Sequence, residues 1–167
     1  MGTLSGLTEG YQNAKQAHTQ LVTVMRQRMD ASDAEIESIN GVIKAQTELG
    51  VIGGTVQKRG AQQVATFLTQ KSSLETLIPA MNNLIAQQKG LNATEEDAYS
   101  VANLMGKAMQ GQTSALRRVG ITFTASQEQV MKYGDESQRA AMLSQIITDN
   151  VGNMNAELGK TDKKKKK

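Results

Sequence analysis

Start and stop signals for helices recur at short intervals along this chain, and they constrain its fold more than any other feature. Ser32 stands three residues before Glu35, Ser72 before Glu75, Thr94 before Asp97 and Thr124 before Gln127. In that spacing a side-chain oxygen accepts an early backbone N–H of a helix, while the residue three places on reaches back to the N–H of the cap. Gly50, Gly90, Gly111, Gly120 and Gly134 each follow an apolar-periodic run, where a helix commonly ends. A fully helical rod of this length would reach about 250 Å, but a chain punctuated in this way breaks into short helices that pack on one another.

The apolar positions between these signals return at steps of three and four. Residues 4–28 read as one amphipathic helix, with Leu4, Leu7, Tyr11, Ala14, His18, Leu21 and Met25 in a heptad seam that Ala14 and His18 weaken. The seam serves either one arm of a helical hairpin or a coiled-coil homo-oligomer, and its shortness favours the hairpin. Ile36, Ile39, Ile43 and Gln46 share a face of the second arm, and the GVIGG run (50–54) is a turn and a candidate hinge. Val56, Gln63, Val64 and Phe67 follow on a helix ending near Thr69.

Ser72 and Glu75 then introduce Leu74, Leu77, Ile78, Met81, Leu84 and Ile85, the clearest buried stripe in the chain. Pro79 lies inside that stripe, so a kink or a break is expected, since proline in a straight helix costs about 3 kcal/mol. Ala98, Val101, Ala102, Met105 and Met109 form the next face, and Gly106 within it marks a close helix–helix approach. A short helix over 113–119, one from Thr124 to about Tyr133, and a last one over 136–150 with Ala140, Leu143, Ile147 and Val151 inward complete the pattern. Aromatic residues make up only 3% of the chain and Trp is absent, so the core must come from Leu, Ile, Val, Met and Ala, which suits helical layers. The expected fold is all-α: an N-terminal helical hairpin (1–50), a compact bundle of short helices (51–159) and a disordered Lys-rich tail (160–167).

Charge excludes one function class. Of 19 Lys and Arg, six are Lys160 and Lys163–Lys167; the remaining 13 face 15 Asp and Glu in residues 1–159, so the body is no nucleic-acid binder on charge. The tail reads as a tag, a cloning remnant, a truncated frame or a native basic arm. Cysteine is absent, which removes disulfides and thiolate chemistry. The N-terminus lacks the basic start and apolar run of a secretory leader, and no apolar run reaches the length of a membrane span.

No constellation announces catalysis. His18, the only histidine, has Leu21 and Val22 at the i+3 and i+4 positions where a metal partner would stand, and is read as a partly buried structural residue. Glu95, Glu96 and Asp97 crowd a first helical turn, where the helix dipole favours negative charge. GVIGG lacks the GK[ST] ending of a phosphate-binding loop. Catalytic, cofactor-binding and metal-ligating residues are therefore all expected to be none. Arg117 and Arg118 close a short helix, where cations bond the last carbonyls; they are also candidate contacts to a neighbouring chain or an acidic surface, as are Lys58 and Arg59. The methionines, among them Met25, Met81, Met105, Met109, Met131 and Met142, read as adaptable core filling or as a repackable binding groove.

Taken in order, GAQQVATFLTQ (60–70), LIPAMNNLIAQ (77–87), the Asn92-Ala93-Thr94 helix start, LMGKAMQGQ (104–112), ALRRVGITFT (115–124) and ESQRAAMLSQIITDNVGNMN (136–155) resemble the conserved region of phage and prophage tail tape measure proteins. The resemblance is good over roughly 50–155 and looser over 4–50, and the matching residues are packing and turn residues. It implies a structural role: setting tail length during assembly and assisting genome ejection. The implied partners are tail tube protein, tail assembly chaperones and baseplate hub proteins, with no sequence-specific nucleic acid. The implied locations are the tail tube interior of the virion and, during assembly, the host cytoplasm. Family chains run for many hundreds of residues, so the resemblance also implies a fragment or excised domain. Two readings from other classes stay open: a lytic or peptidase domain of a tail protein, and a generic helical adaptor that binds a partner helix.

Overall fold

A computed structural model describes the backbone of residues 2–166 and the side chains of residues 9–162. Among the described residues the chain is all-α, as expected, with helices α1 (Gly2–Met29), α2 (Asp33–Leu49), α3 (Gly54–Ala65), α4 (Lys71–Lys89), α5 (Glu95–Met109), α6 (Ala125–Tyr133), α7 (Glu136–Val151) and α8 (Met154–Lys166). Two 3-10 segments, Gly90–Asn92 and Thr113–Val119, bridge α4 to α5 and α5 to α6.

Local chemistry sets most of the boundaries. Ser32, Thr94 and Thr124 each form the reciprocal capping box read from the sequence, and Asp135 with Gln138 forms another at the start of α7. The backbone bond from Ser32 leads the effects that hold the Glu35 carboxyl below the ordinary carboxylate range, and that from Thr94 does the same for Asp97.

The box expected at Ser72 and Glu75 does not form. Helix α4 begins two residues earlier, after Gln70, with no side-chain cap from its own sequence, and Glu75 instead pairs with Lys71 at 2.7 Å. The donors at this end are taken from outside by Glu136 of α7. Its carboxylate accepts from Thr69 N (2.8 Å), Thr69 Oγ1 (3.0 Å), Gln70 N (2.9 Å) and Ser73 Oγ (2.8 Å). The break considered at Pro79 is also absent: α4 runs continuously through it. Leu77, Ile78, Ala80 and Met81 around the proline are buried, and their packing outweighs the missing backbone bond.

A single apolar cluster holds the helices together. It joins Leu21 and Met25 of α1, the three isoleucines of α2, the whole predicted stripe of α4, the predicted face of α5, and Ala140, Leu143, Ile146 and Ile147 of α7. Helix α4 lies at the centre against α2, α5, α7 and α8, while α3 sits between α1 and α5. Helices α1 and α2 therefore pack mainly on α3 and α4 rather than on each other, and the first two helices share the core of the rest.

At 1.5 Å per residue α1 is about 42 Å long and α3 about 18 Å, so α1 outruns its partner. Among the described side chains of the heptad seam, Leu21 and Met25 are covered, Ala14 and His18 are partly exposed and Tyr11 is 67% exposed. Leu4 and Leu7 lie outside the described side chains. Gly106 has the role its position suggested, since a Cβ there would fall inside the Phe67 ring. Helix α8 was not anticipated; the sequence pattern ended at about Asn150, and the run Met154–Lys166 carries too few apolar residues to show a stripe. The side chains of Lys163–Lys167 fall outside the described residues.

Candidate functional site

The basic residues singled out in the sequence fall into two groups. Lys58 and Arg59 lie on α3, facing α1 and α5 rather than solvent. Lys58 Nζ is 3.3 Å from His18 Nδ1, and burial pushes its ammonium below the usual lysine range. Arg59 donates to Gln20 of α1 and, at 2.8 Å, to Glu95 of α5, which also accepts from Asn13 of α1 at 2.6 Å. Burial works against the charge of Glu95, yet the hydrogen bonds from Arg59 and Asn13 and the charge of Arg59 together hold its carboxyl below the usual range. These residues tie three helices together. Arg117 and Arg118 are exposed at the end of the 3-10 segment 113–119, with Arg117 NH2 3.7 Å from Glu128.

Two polar constellations escaped the sequence reading. The first is the opening turn of α7. Alongside Glu136, Arg139 donates to three backbone carbonyls: Gly134 O at 2.9 Å, Met109 O at 2.8 Å and Lys132 O at 2.6 Å. A carboxylate that meets the N–H end of α4 thus stands one turn from a guanidinium that meets the carbonyl ends of α5 and α6, each complementing the helix dipole it faces. A cleft of about 420 Å³ opens between them, lined by Phe67, Met109, Gln110, Glu136 and Arg139. Its charged walls are already engaged by the backbone.

The second is a buried network of neutral amides. Gln57 Nε2 donates to Ile52 O and Thr47 Oγ1, both at 2.9 Å. Asn82 Nδ2 donates to Gln57 Oε1 at 2.9 Å and to Gln46 Oε1 at 3.2 Å, while Asn82 Oδ1 has no partner. Asn155 of α8 completes the set. Its Oδ1 accepts from Val51 N (2.8 Å) and Ile52 N (3.3 Å), its Nδ2 donates to Gln46 Oε1 (3.3 Å), and its backbone N donates to Asn83 Oδ1 (3.0 Å). The Asp135–Gln138 spacing could have flagged the start of α7; nothing in helical periodicity flags a buried Asn or Gln.

A groove of about 590 Å³ lies between α6 and α7. Val130, Tyr133, Ala141 and Met142 supply its apolar surface, with Gln129 and Gln138 among the polar residues at its edges, and no charged side chain lines it. Tyr133 is 78% exposed, as Tyr11 and Tyr99 are also exposed elsewhere on the surface. Met142 lines this groove, whereas Met25, Met81, Met105, Met109 and Met131 are buried core residues, as core filling requires. Such a trough can hold an apolar side chain of a partner and bond a polar backbone at its rim.

Among the described residues no group of three or more His, Asp or Glu side chains is placed to hold a metal ion, and no helix is long and apolar enough to cross a membrane. Comparison of the chain with protein-family models, with curated proteins and with solved structures gives no match.

Proposed function

We propose that this chain is a structural module of a phage or prophage tail tape measure protein, acting in tail assembly and length determination and in genome ejection. The observation that carries the reading is the ordered resemblance over 50–155. The use this fold makes of the matching residues supports it. Within 104–112 Gly106 seats the Phe67 ring of 60–70, and within 77–87 the stripe from Leu77 to Ile85 fills the core. In 136–155, Glu136 and Arg139 close the ends of three other helices, and Asn155 completes the amide network.

A module of this design acts by binding. Its expected partners are the tail tube protein, the assembly chaperones and the baseplate hub, and the α6–α7 groove is the surface we assign to that contact. The first test is mass spectrometry of purified tail particles from the source strain. Peptides from 50–155 are expected in the tail fraction. Their absence from particles whose tube and baseplate peptides are well covered would sink the reading. The surface assignment is tested by Met142→Glu, which puts a carboxylate in the uncharged groove and is expected to abolish co-purification with the tail partners while leaving the helical signal unchanged.

A further inference from the structure

We propose that α8 is a displaceable strap, which undocks as one unit about Gly152 while α1–α7 stay folded and so uncovers an amide-lined groove between α2, the 51–52 turn and α4. Four observations converge on it. First, α8 is seated by polar complementarity rather than apolar area: Asn155 is 1% exposed and makes the four hydrogen bonds described above, whereas its apolar neighbours Met154 and Leu158 are only partly buried. Water can replace each of those neutral bonds on both surfaces once the helix lifts away, so opening strands no buried group.

Second, the seat is shaped for α8 by close backbone approach. A Cβ on Gly159 would meet the carbonyl oxygen of Leu49 and, at 2.8 Å, the Cα of Gly50. Third, the hinge is present. Gly152 stands between α7 and α8 with φ 67° and ψ −161°, a region open essentially only to glycine, and nothing lies within 4 Å of where its Cβ would be. Fourth, clefts already flank the strap on both sides: one of about 250 Å³ includes Gln46, Leu49, Pro79 and Asn83, and another of about 440 Å³ includes Val51, Ile52 and Leu91. A segment with few apolar contacts, a free hinge and solvent on two sides opens at a lower free energy than the core it covers.

Hydrogen exchange on the full chain tests this. The amides of Asn155 and Glu157–Asp162 are expected to share one protection factor, at least tenfold below that of Leu77–Ala86 in α4. Asn155→Ala leaves the 51–52 amides without their acceptor only in the docked state, while Gln46 Oε1 keeps Asn82 as a donor. It is therefore expected to lower α8 protection a further tenfold while α5 and α7 are unchanged. Gly152→Ala strains the docked hinge without a steric clash and is expected to act in the same direction. Three results would overturn the proposal: protection that falls gradually toward residue 162, which is fraying from the end; α8 protection equal to that of α4; or variants that weaken every helix alike or prevent folding, which would make α8 integral to the core.

Discussion

Glu136 offers a direct test of how α4 is started. The sequence assigns that task to Ser72 and Glu75; the structure assigns it to a carboxylate from α7, so Ser72→Ala and Glu136→Ala should have opposite outcomes under the two accounts. Glu136→Ala removes the acceptor for four donors at 2.8–3.0 Å. The Thr69 and Gln70 groups are exposed and recover water, so their loss resembles that of an ordinary N-cap, about 1 kcal/mol. The Ser73 side chain is different, because the residue is 2% exposed; a buried hydroxyl left without its partner adds about 1–2 kcal/mol. The total is about 2–3 kcal/mol, which at roughly 2–4 °C per kcal/mol for a chain of this size lowers Tm by about 5–10 °C.

Glu136→Gln keeps one acceptor oxygen for Thr69 and lets the Ser73 hydroxyl turn to accept from the new amide. It strands only the Gln70 N–H, for about 1 kcal/mol. Ser72 is exposed, and its alanine variant should fall within about 0.5 kcal/mol of the parent. The assay is urea unfolding followed by far-ultraviolet dichroism on the three variants and the parent. A Glu136→Ala loss below about 0.5 kcal/mol together with a Ser72→Ala loss of about 1 kcal/mol would restore the local capping box and refute the reasoning.

Three further outcomes follow from the same geometry. Gly106→Ala drives a methyl into the Phe67 ring and is expected to cost about 1–3 kcal/mol by overpacking; Phe67→Leu in the same chain should recover part of it, as read by urea midpoint. Lys58→Met keeps the apolar stem but deletes both an ammonium that burial disfavours and its contact with His18; at this partly exposed site the two effects oppose each other, so the melting temperature at pH 7 should stay close to that of the parent. Glu95, with a carboxyl held below its ordinary value, contributes stability that is complete above the unfolded carboxylate range near pH 4 and is lost as pH falls through its lower folded value. Urea midpoints should therefore drop from pH 5 to pH 3 in the parent, and Glu95→Gln should flatten that slope while lowering the plateau at neutral pH.

The sequence was legible wherever the determining contact lies within four residues or repeats on one helix face. Ser32, Thr94 and Thr124 cap as their spacing requires, because an N-cap and its N3 partner are fixed to each other by the helix itself. The stripe from Leu74 to Ile85 is buried throughout, since 3.6-residue periodicity carries the same information in sequence and in space. The same local logic misread Ser72, because a competing acceptor 63 residues away was better placed. It also missed α8, whose docking depends on one asparagine and one glycine. Of the candidate contact residues, Arg117 and Arg118 are exposed, whereas Lys58 and Arg59 turn inward; charge patterning cannot separate these cases, because a helix presents a lysine to solvent and to a neighbouring helix with the same periodicity.

The amide network shows why the illegible part matters most for specificity. Leu, Ile, Val, Met and Ala can fill a helical core in many registers, since apolar contacts are non-directional. Gln46, Gln57, Asn82 and Asn155 cannot slide past one another in that way: each bond requires one donor to face one acceptor at about 3 Å, and a shift of one residue in α2, α3, α4 or α8 would leave several of them buried and unpaired. A wrong packing arrangement thus carries a penalty that the native one escapes almost completely, with Asn82 Oδ1 the network's remaining cost. The alternating chemistry of the fold follows from this. The α5–α7 side is fixed by helix ends meeting Glu136 and Arg139, and the α2–α8 side by neutral amides. Opening is placed on the second side because water makes equivalent bonds to neutral amides once they separate. The α6–α7 groove lies beside the helix ends that Glu136 and Arg139 close, while the proposed strap lies on the other side.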